Sequence, residues 1–143
     1  MNFSQQLHRI HSLLSEIDAA YHQAAVHLHL SDSALLVLYV LQDYGDGCPL
    51  RAVYQQYNMS KQTLNSAIRK LEAAGFLYLE PGDGRGKNIR LTCSGKQCME
   101  TTARRLSEAE QRVFSNWEEE DRAAYARLLE KHLQDFQKEL TSL

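Results

Sequence analysis

The chain has 143 residues, of which 43% are hydrophobic and 24% charged, and a formal net charge of −2; these values are typical of one soluble globular domain and exclude a disordered chain. No apolar run reaches membrane-spanning length, and the first residues lack the basic start and apolar block of a signal peptide. We therefore expect a cytoplasmic protein with no membrane partner. The three cysteines, Cys48, Cys93 and Cys98, follow no recognised spacing, so we expect reduced thiols.

Charge is distributed unevenly along the chain. Between Arg51 and Lys96 there are eight Lys or Arg residues against three acids, a net charge of +5. The rest of the chain has eight against fifteen, a net charge of −7. A basic middle between acidic ends is typical of a segment that contacts nucleic acid.

The N-terminal segment has one long apolar seam, in which apolar residues recur in alternating steps of four and three. The seam consists of Phe3, Leu7, Ile10, Leu14, Ile17, Tyr21, Ala24 and Leu28. This heptad-like spacing predicts a helix that packs along another helix. A second helix is predicted from about Ser33 to Tyr44, apolar on nearly every side and therefore central in the core, with Ser31 as its N-cap.

Two short helices follow a break at residues 45–47, GDG. Residues 50–57 predict the first, and Asn58, which tolerates left-handed geometry, turns the chain into the next. The inward side of the first consists of Leu50, Val53, Tyr54 and Tyr57. Two short helices around a tight turn are a helix-turn-helix candidate.

The second short helix, in MSKQTLNSAIRKLEAAG at 59–75, has marked ends: Ser60 is placed to cap its first turn and Gly75 to end it. Its inward stripe is Leu64, Ala67, Ile68, Leu71 and Ala74. Its outward side has one acid, Glu72, and otherwise consists of Lys61, Gln62, Thr63, Asn65, Ser66, Arg69 and Lys70. This side is either ordinary solvated surface or a DNA-binding face, since cations pair with phosphates and amides and hydroxyls read base edges.

A hairpin and two further helices complete the chain. FLYLE at 76–80 and IRLT at 89–92 predict strands, joined by the glycine-rich, charged segment PGDGRGKN. Ser94 begins a predicted long helix that passes through Met99, Ala103, Leu106, Val113 and Trp117. EEED at 118–121 begins a last helix, because acids favour a helix N-terminus. Its seam is Leu129, Leu133, Phe136 and Leu140.

This order of elements is that of a winged helix-turn-helix, and the sequence resembles the MarR family of transcriptional regulators. SKQTLNSAIRKLEAAGFL is similar to the family's recognition helix, and DGRGKNIRLTCSG follows its wing pattern of D-x-R, five residues, then L-T-x-x-G. The wing positions are occupied by Asp83, Arg85, Leu91, Thr92 and Gly95. The chain departs from the family at Tyr54, where a small residue is usual, and at Asn58, where glycine is usual.

The resemblance implies a mainly α-helical fold with a small β-hairpin wing and three regions. Residues 1–30 are an N-terminal dimerisation helix, 31–96 the winged helix-turn-helix DNA-binding domain, and 97–143 the C-terminal dimerisation helices. It further implies a repressor that binds a palindromic double-stranded DNA operator as a homodimer and is released by a small, often aromatic, effector. Tyr21, His22, Tyr39 and Tyr44 are the candidate lining of an effector crevice. No sequence feature requires a cofactor.

The expected DNA contacts come from the recognition helix and the wing. On the helix they are Ser60, Lys61, Gln62, Thr63, Asn65, Ser66, Arg69 and Lys70. On the wing they are Arg85 and Lys87, with Asp83 orienting the arginine. We expect Gln62 and Asn65 to pair with an adenine edge in the major groove, and Arg85 to reach the adjacent minor groove.

Three alternatives remain open. Five of the six histidines precede residue 30, and metal sensing exists within the resembled family. These histidines match no recognised zinc spacing, however, and we assign no metal site. Lys87 and Arg90 near Cys93 favour a thiol-responsive variant, although buried inert thiols are commoner. A protein-binding winged-helix module would need aromatic anchors that the outward side of 59–75 lacks. No nucleophile elbow, phosphate loop or zinc-protease signature supports an enzyme.

Overall fold

Seven helices and three short strands make up the computed structural model, which describes residues 1–143. In chain order they are α1 Phe3–His27, α2 Asp32–Tyr44, β1 Cys48–Pro49, α3 Leu50–Gln56, α4 Lys61–Ala73, β2 Leu77–Pro81, β3 Lys87–Leu91, α5 Cys93–Thr101, α6 Ala103–Ser115 and α7 Glu119–Leu140. The chain divides into two compact units, 1–106 and 107–143. No single helix is both long and apolar enough to cross a membrane; α1 and α2 pass such a test only as a pair that is bent by 88°.

Helix α2 forms the centre of the first unit, as its apolar sequence predicted. Val37 and Leu38 are completely buried, and α2 packs against α1, α3, α4 and α5. The predicted cap is confirmed, since the Ala34 amide donates to Ser31 Oγ over 3.1 Å. Because neighbours cover α2 on several sides, it is the surface against which the other elements of this unit are placed.

The three strands form an antiparallel sheet in the order β1-β3-β2. The predicted hairpin is confirmed, with Leu79 of β2 opposite Ile89 of β3. Strand β1 was not predicted, because two residues that include a proline carry no alternation of apolar and polar side chains. It pairs Cys48 with Ile89, and both side chains are buried. This contact joins the loop after α2 to the hairpin.

The long helix predicted from Ser94 through Trp117 was wrong in three details. It begins at Cys93 and is capped by Thr92, whose Oγ1 accepts a hydrogen bond from the Gly95 amide. It is interrupted at Thr102, and Trp117 lies beyond the end of α6. The buried Thr102 hydroxyl donates to the Cys98 carbonyl over 2.6 Å, while the Thr102 amide donates to Met99. The side chain thus takes the carbonyl that a continuous helix would use, and two helices result.

The second unit contains the end of α6 and the whole of α7. The ring of Trp117 lies 4.9 Å from that of Phe114 and 5.6 Å from that of Tyr125, and the Arg122 guanidinium donates to the carbonyls of Phe114 and Trp117. These contacts fix the turn between the two helices. As predicted, the acids at 119–121 occupy the first turn of α7. No residue of α7 is buried.

The N-terminus of α5 approaches the backbone before β2 very closely. The Thr92 amide donates to the Phe76 carbonyl, and a Cβ added at Gly95 would lie 1.7 Å from the same oxygen. A side chain at this position therefore requires backbone to move. This close approach explains in physical terms why the L-T-x-x-G pattern of the wing ends in glycine.

We expect Gly95→Ala to lower the free energy of unfolding by at least about 2 kcal/mol, because α5 and residue 76 must separate. Gly86→Ala is the matched control, since its Cβ would meet only the Asp83 carbonyl at 3.4 Å. Urea unfolding of both variants measures the difference. Equal stability of Gly95→Ala and the unmodified chain would contradict the close contact.

Candidate nucleic-acid interface

Helix α4 has the boundaries that the sequence predicted. The Thr63 amide donates to Ser60 Oγ over 3.1 Å, and Gly75 ends the helix with φ of 81°. The inward stripe is buried at Leu64, Ala67, Ile68 and Leu71. Ala74 is exposed, because it is the C-cap and lies beyond the core. The opposite side of the helix is therefore held towards the outside.

The outward side of α4 forms an open concave surface. It is lined by Lys61, Gln62, Asn65, Ser66, Arg69, Lys70 and Ala73. None of the three cations among them forms an ion pair, and Glu72 lies outside this surface. Ser60 and Thr63 lie at the N-terminus of the helix, where their hydroxyls are hydrogen bonded over 2.7 Å. The structure thus places six of the eight predicted helix residues on one surface, with unpaired positive charge and polar groups between.

Tyr54 of α3 contacts this surface and was not predicted as a site residue. Its hydroxyl donates to Asn65 Oδ1, and Lys61 Nζ lies 5.1 Å from the centre of its ring. Tyr54 and Asn65 are both half-buried. The one sequence signal for this contact was the bulky residue at a position where the resembled family usually has a small one.

Arg85 lies at the tip of the hairpin, in a tight turn between β2 and β3. The Gly86 amide donates to the Asp83 carbonyl, and Gly84 has φ of 63°, which closes a tight turn. Arg85 and Lys87 are exposed and form no ion pair. The carboxylate of Asp83 does not contact Arg85 in this structure, so the turn that exposes the arginine is formed by backbone hydrogen bonds.

Arg90, also in the basic segment, forms ion pairs with two acids of the same chain. Its guanidinium pairs with Asp46 over 3.1 Å and with Glu80. The hydrogen bond with Glu80 raises the pKa of Arg90 above its ordinary value. The guanidinium also lies 3.4 Å from the position that a Cβ at Gly47 would take. Arg90 therefore links the loop after α2 to the hairpin and contributes little free positive charge.

The predicted effector residues all lie in the first unit. Tyr21 and Tyr44 are exposed, and Tyr39 is half-buried against the core. His22 Nδ1 lies 3.0 Å from both carboxylate oxygens of Asp32 and so joins α1 to the start of α2. No group of three or more His, Cys, Asp or Glu side chains is placed to hold a metal ion.

The three cysteines have different environments. Cys48 is buried, and burial raises the pKa of its thiol to about 11. Burial also raises the pKa of Cys98. A raised pKa keeps a thiol protonated and unreactive at neutral pH. Cys93 is the one exposed cysteine of the three.

Comparison with known proteins gives one family match, over part of the chain, and several matches of fold. The MarR family model matches residues 30–86. A MarR family regulator from Neisseria meningitidis has the same fold with a TM-score of 0.71 and 21% identity, over 94% of this chain and 99% of that one. MepR from S. aureus, solved as a complex with DNA, has the same fold with a TM-score of 0.67 and 23% identity, over 95% of this chain and 98% of that one. The PcaV regulator from Streptomyces coelicolor, solved with its natural ligand, has a TM-score of 0.65 and 19% identity, over 85% of this chain and 89% of that one.

No curated protein sequence matches the chain. The family model covers the helix-turn-helix and the start of the hairpin, while the structural neighbours extend over nearly the whole chain. Residues 30–86 therefore match the MarR family of transcriptional regulators, and the chain has the winged helix-turn-helix fold of the solved MarR proteins over nearly its whole length.

Proposed function

We propose that the chain is a sequence-specific DNA-binding repressor that binds a palindromic operator as a homodimer and is released by a small molecule. The observation that carries the DNA-binding part is the outward side of α4. Three unpaired cations surround exposed amide and hydroxyl groups there, and the opposite side of the helix is fixed by burial. The complex of MepR with DNA, a protein of the same fold, supports this assignment.

The N-terminal half of α4 enters the major groove of the operator in this proposal. Lys61, Arg69 and Lys70 neutralise phosphates, and Gln62, which is exposed, presents both a donor and an acceptor to a base edge. The capped N-terminus of the helix adds positive potential near the backbone. Phosphate contacts fix the position of the helix, and base contacts select the sequence.

Arg85 occupies the adjacent minor groove. It lies at an exposed tight turn and has no acidic partner to release before it binds. The minor groove is narrow where A·T pairs are frequent, and its negative potential then attracts arginine. The wing therefore contributes affinity and a preference for groove shape, with little reading of individual bases.

Variants of the two elements should fail differently. Gln62→Ala should weaken the binding free energy for the operator by on the order of 1–3 kcal/mol and relax the base preference at the one base pair that Gln62 contacts. Arg85→Ala should weaken binding to all sequences and reduce the slope of log K against log salt by about one. Arg105→Ala, an exposed arginine on α6, is the control and should bind as the unmodified chain does. Binding curves at two salt concentrations measure these effects, and unmodified affinity in both Gln62→Ala and Arg85→Ala would refute the proposed interface.

The homodimer is proposed from two uncovered apolar faces. On α1 the exposed large apolar side chains are Phe3, Leu7, Ile10, Leu13, Leu14, Ile17, Tyr21 and Val26. On α7 they are Leu128, Leu129, Leu133, Phe136 and Leu140. Monomeric proteins rarely expose apolar faces of this extent. A second copy of the chain would cover them, and two-fold symmetry would place two copies of α4 on one side of a palindromic site.

We expect light scattering to give a dimer at micromolar concentration. Leu133→Asp should shift the protein towards monomer, because it puts a charge at a side chain that is 58% exposed in the single chain and buried in the proposed dimer. Gln134→Asp adds the same charge about 100° further around α7 and should leave the dimer intact. A monomeric unmodified chain would contradict the proposal.

Small-molecule release is supported by PcaV, which has the same fold and was solved with its natural ligand. We place the effector against Tyr21, His22, Tyr39 and Tyr44. A panel of phenolic acids and hydrophobic drugs should contain a compound that both raises the melting temperature and weakens DNA binding, because it binds one state of the protein preferentially. If no compound changes either quantity, control by such molecules is excluded.

A further inference from the structure

The side chain of Asn65 is held by a residue outside its own helix. The Tyr54 hydroxyl on α3 donates a hydrogen bond to Asn65 Oδ1 on α4. The Tyr54 ring is packed against the core, and Lys61 Nζ lies 5.1 Å from its centre. Core packing therefore positions the ring, and the hydroxyl of this ring holds the Asn65 amide oxygen.

The Tyr54 hydroxyl donates to Asn65 Oδ1, so the amide oxygen is the end of Asn65 that faces α3. Burial raises the pKa of Tyr54 above its ordinary value, so the hydroxyl carries its proton at neutral pH. The amide nitrogen, with two N–H donors, is then left for a partner outside the protein.

This orientation matters because the four base pairs differ in the acceptors and donors they present in the major groove. An asparagine recognises adenine by accepting from N6 and donating to N7, which requires both ends of its amide. Guanine presents two acceptors, N7 and O6, and thymine presents O4, whereas cytosine presents a donor. Because Tyr54 already occupies one lone pair of Asn65 Oδ1 and draws this oxygen towards α3, the N–H groups are the free end of the amide. That end matches guanine or thymine, and the two-bond contact with adenine is weakened.

We infer that Tyr54 is a specificity-determining residue of the DNA interface, which orients Asn65 so that it reads an acceptor edge, guanine or thymine, instead of adenine. The inference rests on the proposed function and offers an alternative to the adenine contact expected for Asn65 from the sequence. Gln62 has no such partner, and its expected contact with adenine is unchanged. Tyr54 itself contacts no base and acts only by orienting Asn65.

The test begins with the unmodified chain and an operator duplex. Asn65→Ala first identifies the base pair that Asn65 reads, as the one at which the preference disappears. Affinity is then measured on four duplexes that differ only at that pair, for the unmodified chain, Tyr54→Phe and Tyr125→Phe. Tyr54→Phe keeps the ring next to Lys61 and removes the hydroxyl. Tyr125→Phe is the matched control, since its ring packs on Phe114 and Trp117 in the other unit.

The unmodified chain and the control should prefer guanine or thymine at this pair, and Tyr54→Phe should shift the preference to adenine on the order of tenfold. The double variant Tyr54→Phe, Asn65→Ala should have no preference there, as Asn65→Ala alone has none. Loss of affinity by the same factor on all four duplexes is the result expected of a merely structural Tyr54, and it would overturn the inference.

A second measurement does not depend on the stability of the Tyr54 variant. The unmodified chain is bound to a duplex in which the identified guanine is replaced by 7-deazaguanine, or the identified thymine by a base without O4. Affinity should fall on the order of tenfold, because one acceptor, N7 of guanine or O4 of thymine, is gone. A preference for adenine in the unmodified chain overturns the inference and leaves the proposed function standing. Absence of any sequence preference in the unmodified chain overturns both.

Discussion

The burial of one side of α4 is the constraint on which the interface depends. Leu64 is completely buried, and Ile68 and Leu71 are nearly so, all against a unit whose centre is α2. Each such side chain stabilises the fold by about 1.5–3 kcal/mol relative to an exposed one. A rotation of α4 about its axis would expose all three, so the helix has one orientation. Its cations and amides are consequently held outside in a fixed pattern before any partner binds.

Charge in the basic segment is divided between two tasks. Arg90 is paired with Asp46 and Glu80 and joins the loop after α2 to the hairpin. Arg85, five residues earlier at the tip, is exposed and unpaired. The close approach of Gly95 to Phe76 fixes the base of the same hairpin on α5. The hairpin therefore combines a base held by several contacts with an unpaired cation at its tip.

The sequence predicted those features whose signals are local. The caps Ser31 and Ser60, the end of α4 at Gly75 and the β2–β3 hairpin each depend on a few adjacent residues, and all were confirmed. Features that depend on contacts between elements were missed. Strand β1 exists only because Cys48 pairs with Ile89 of the hairpin. The helix breaks at Thr102 because the Thr102 hydroxyl donates to the Cys98 carbonyl. The bond between Tyr54 and Asn65 depends on how α3 crosses α4, which no spacing in the sequence determines.

Sequence selection by the outward side of α4 is tested most directly when the purified protein selects bound duplexes from a random pool. We expect enrichment of a palindromic sequence whose half-site centres are about 34–36 Å apart, one helical turn, because two-fold symmetry places two copies of α4 at that spacing. A selected pool with no enriched sequence would contradict sequence selection, and would leave the concave side of α4 as ordinary solvated surface.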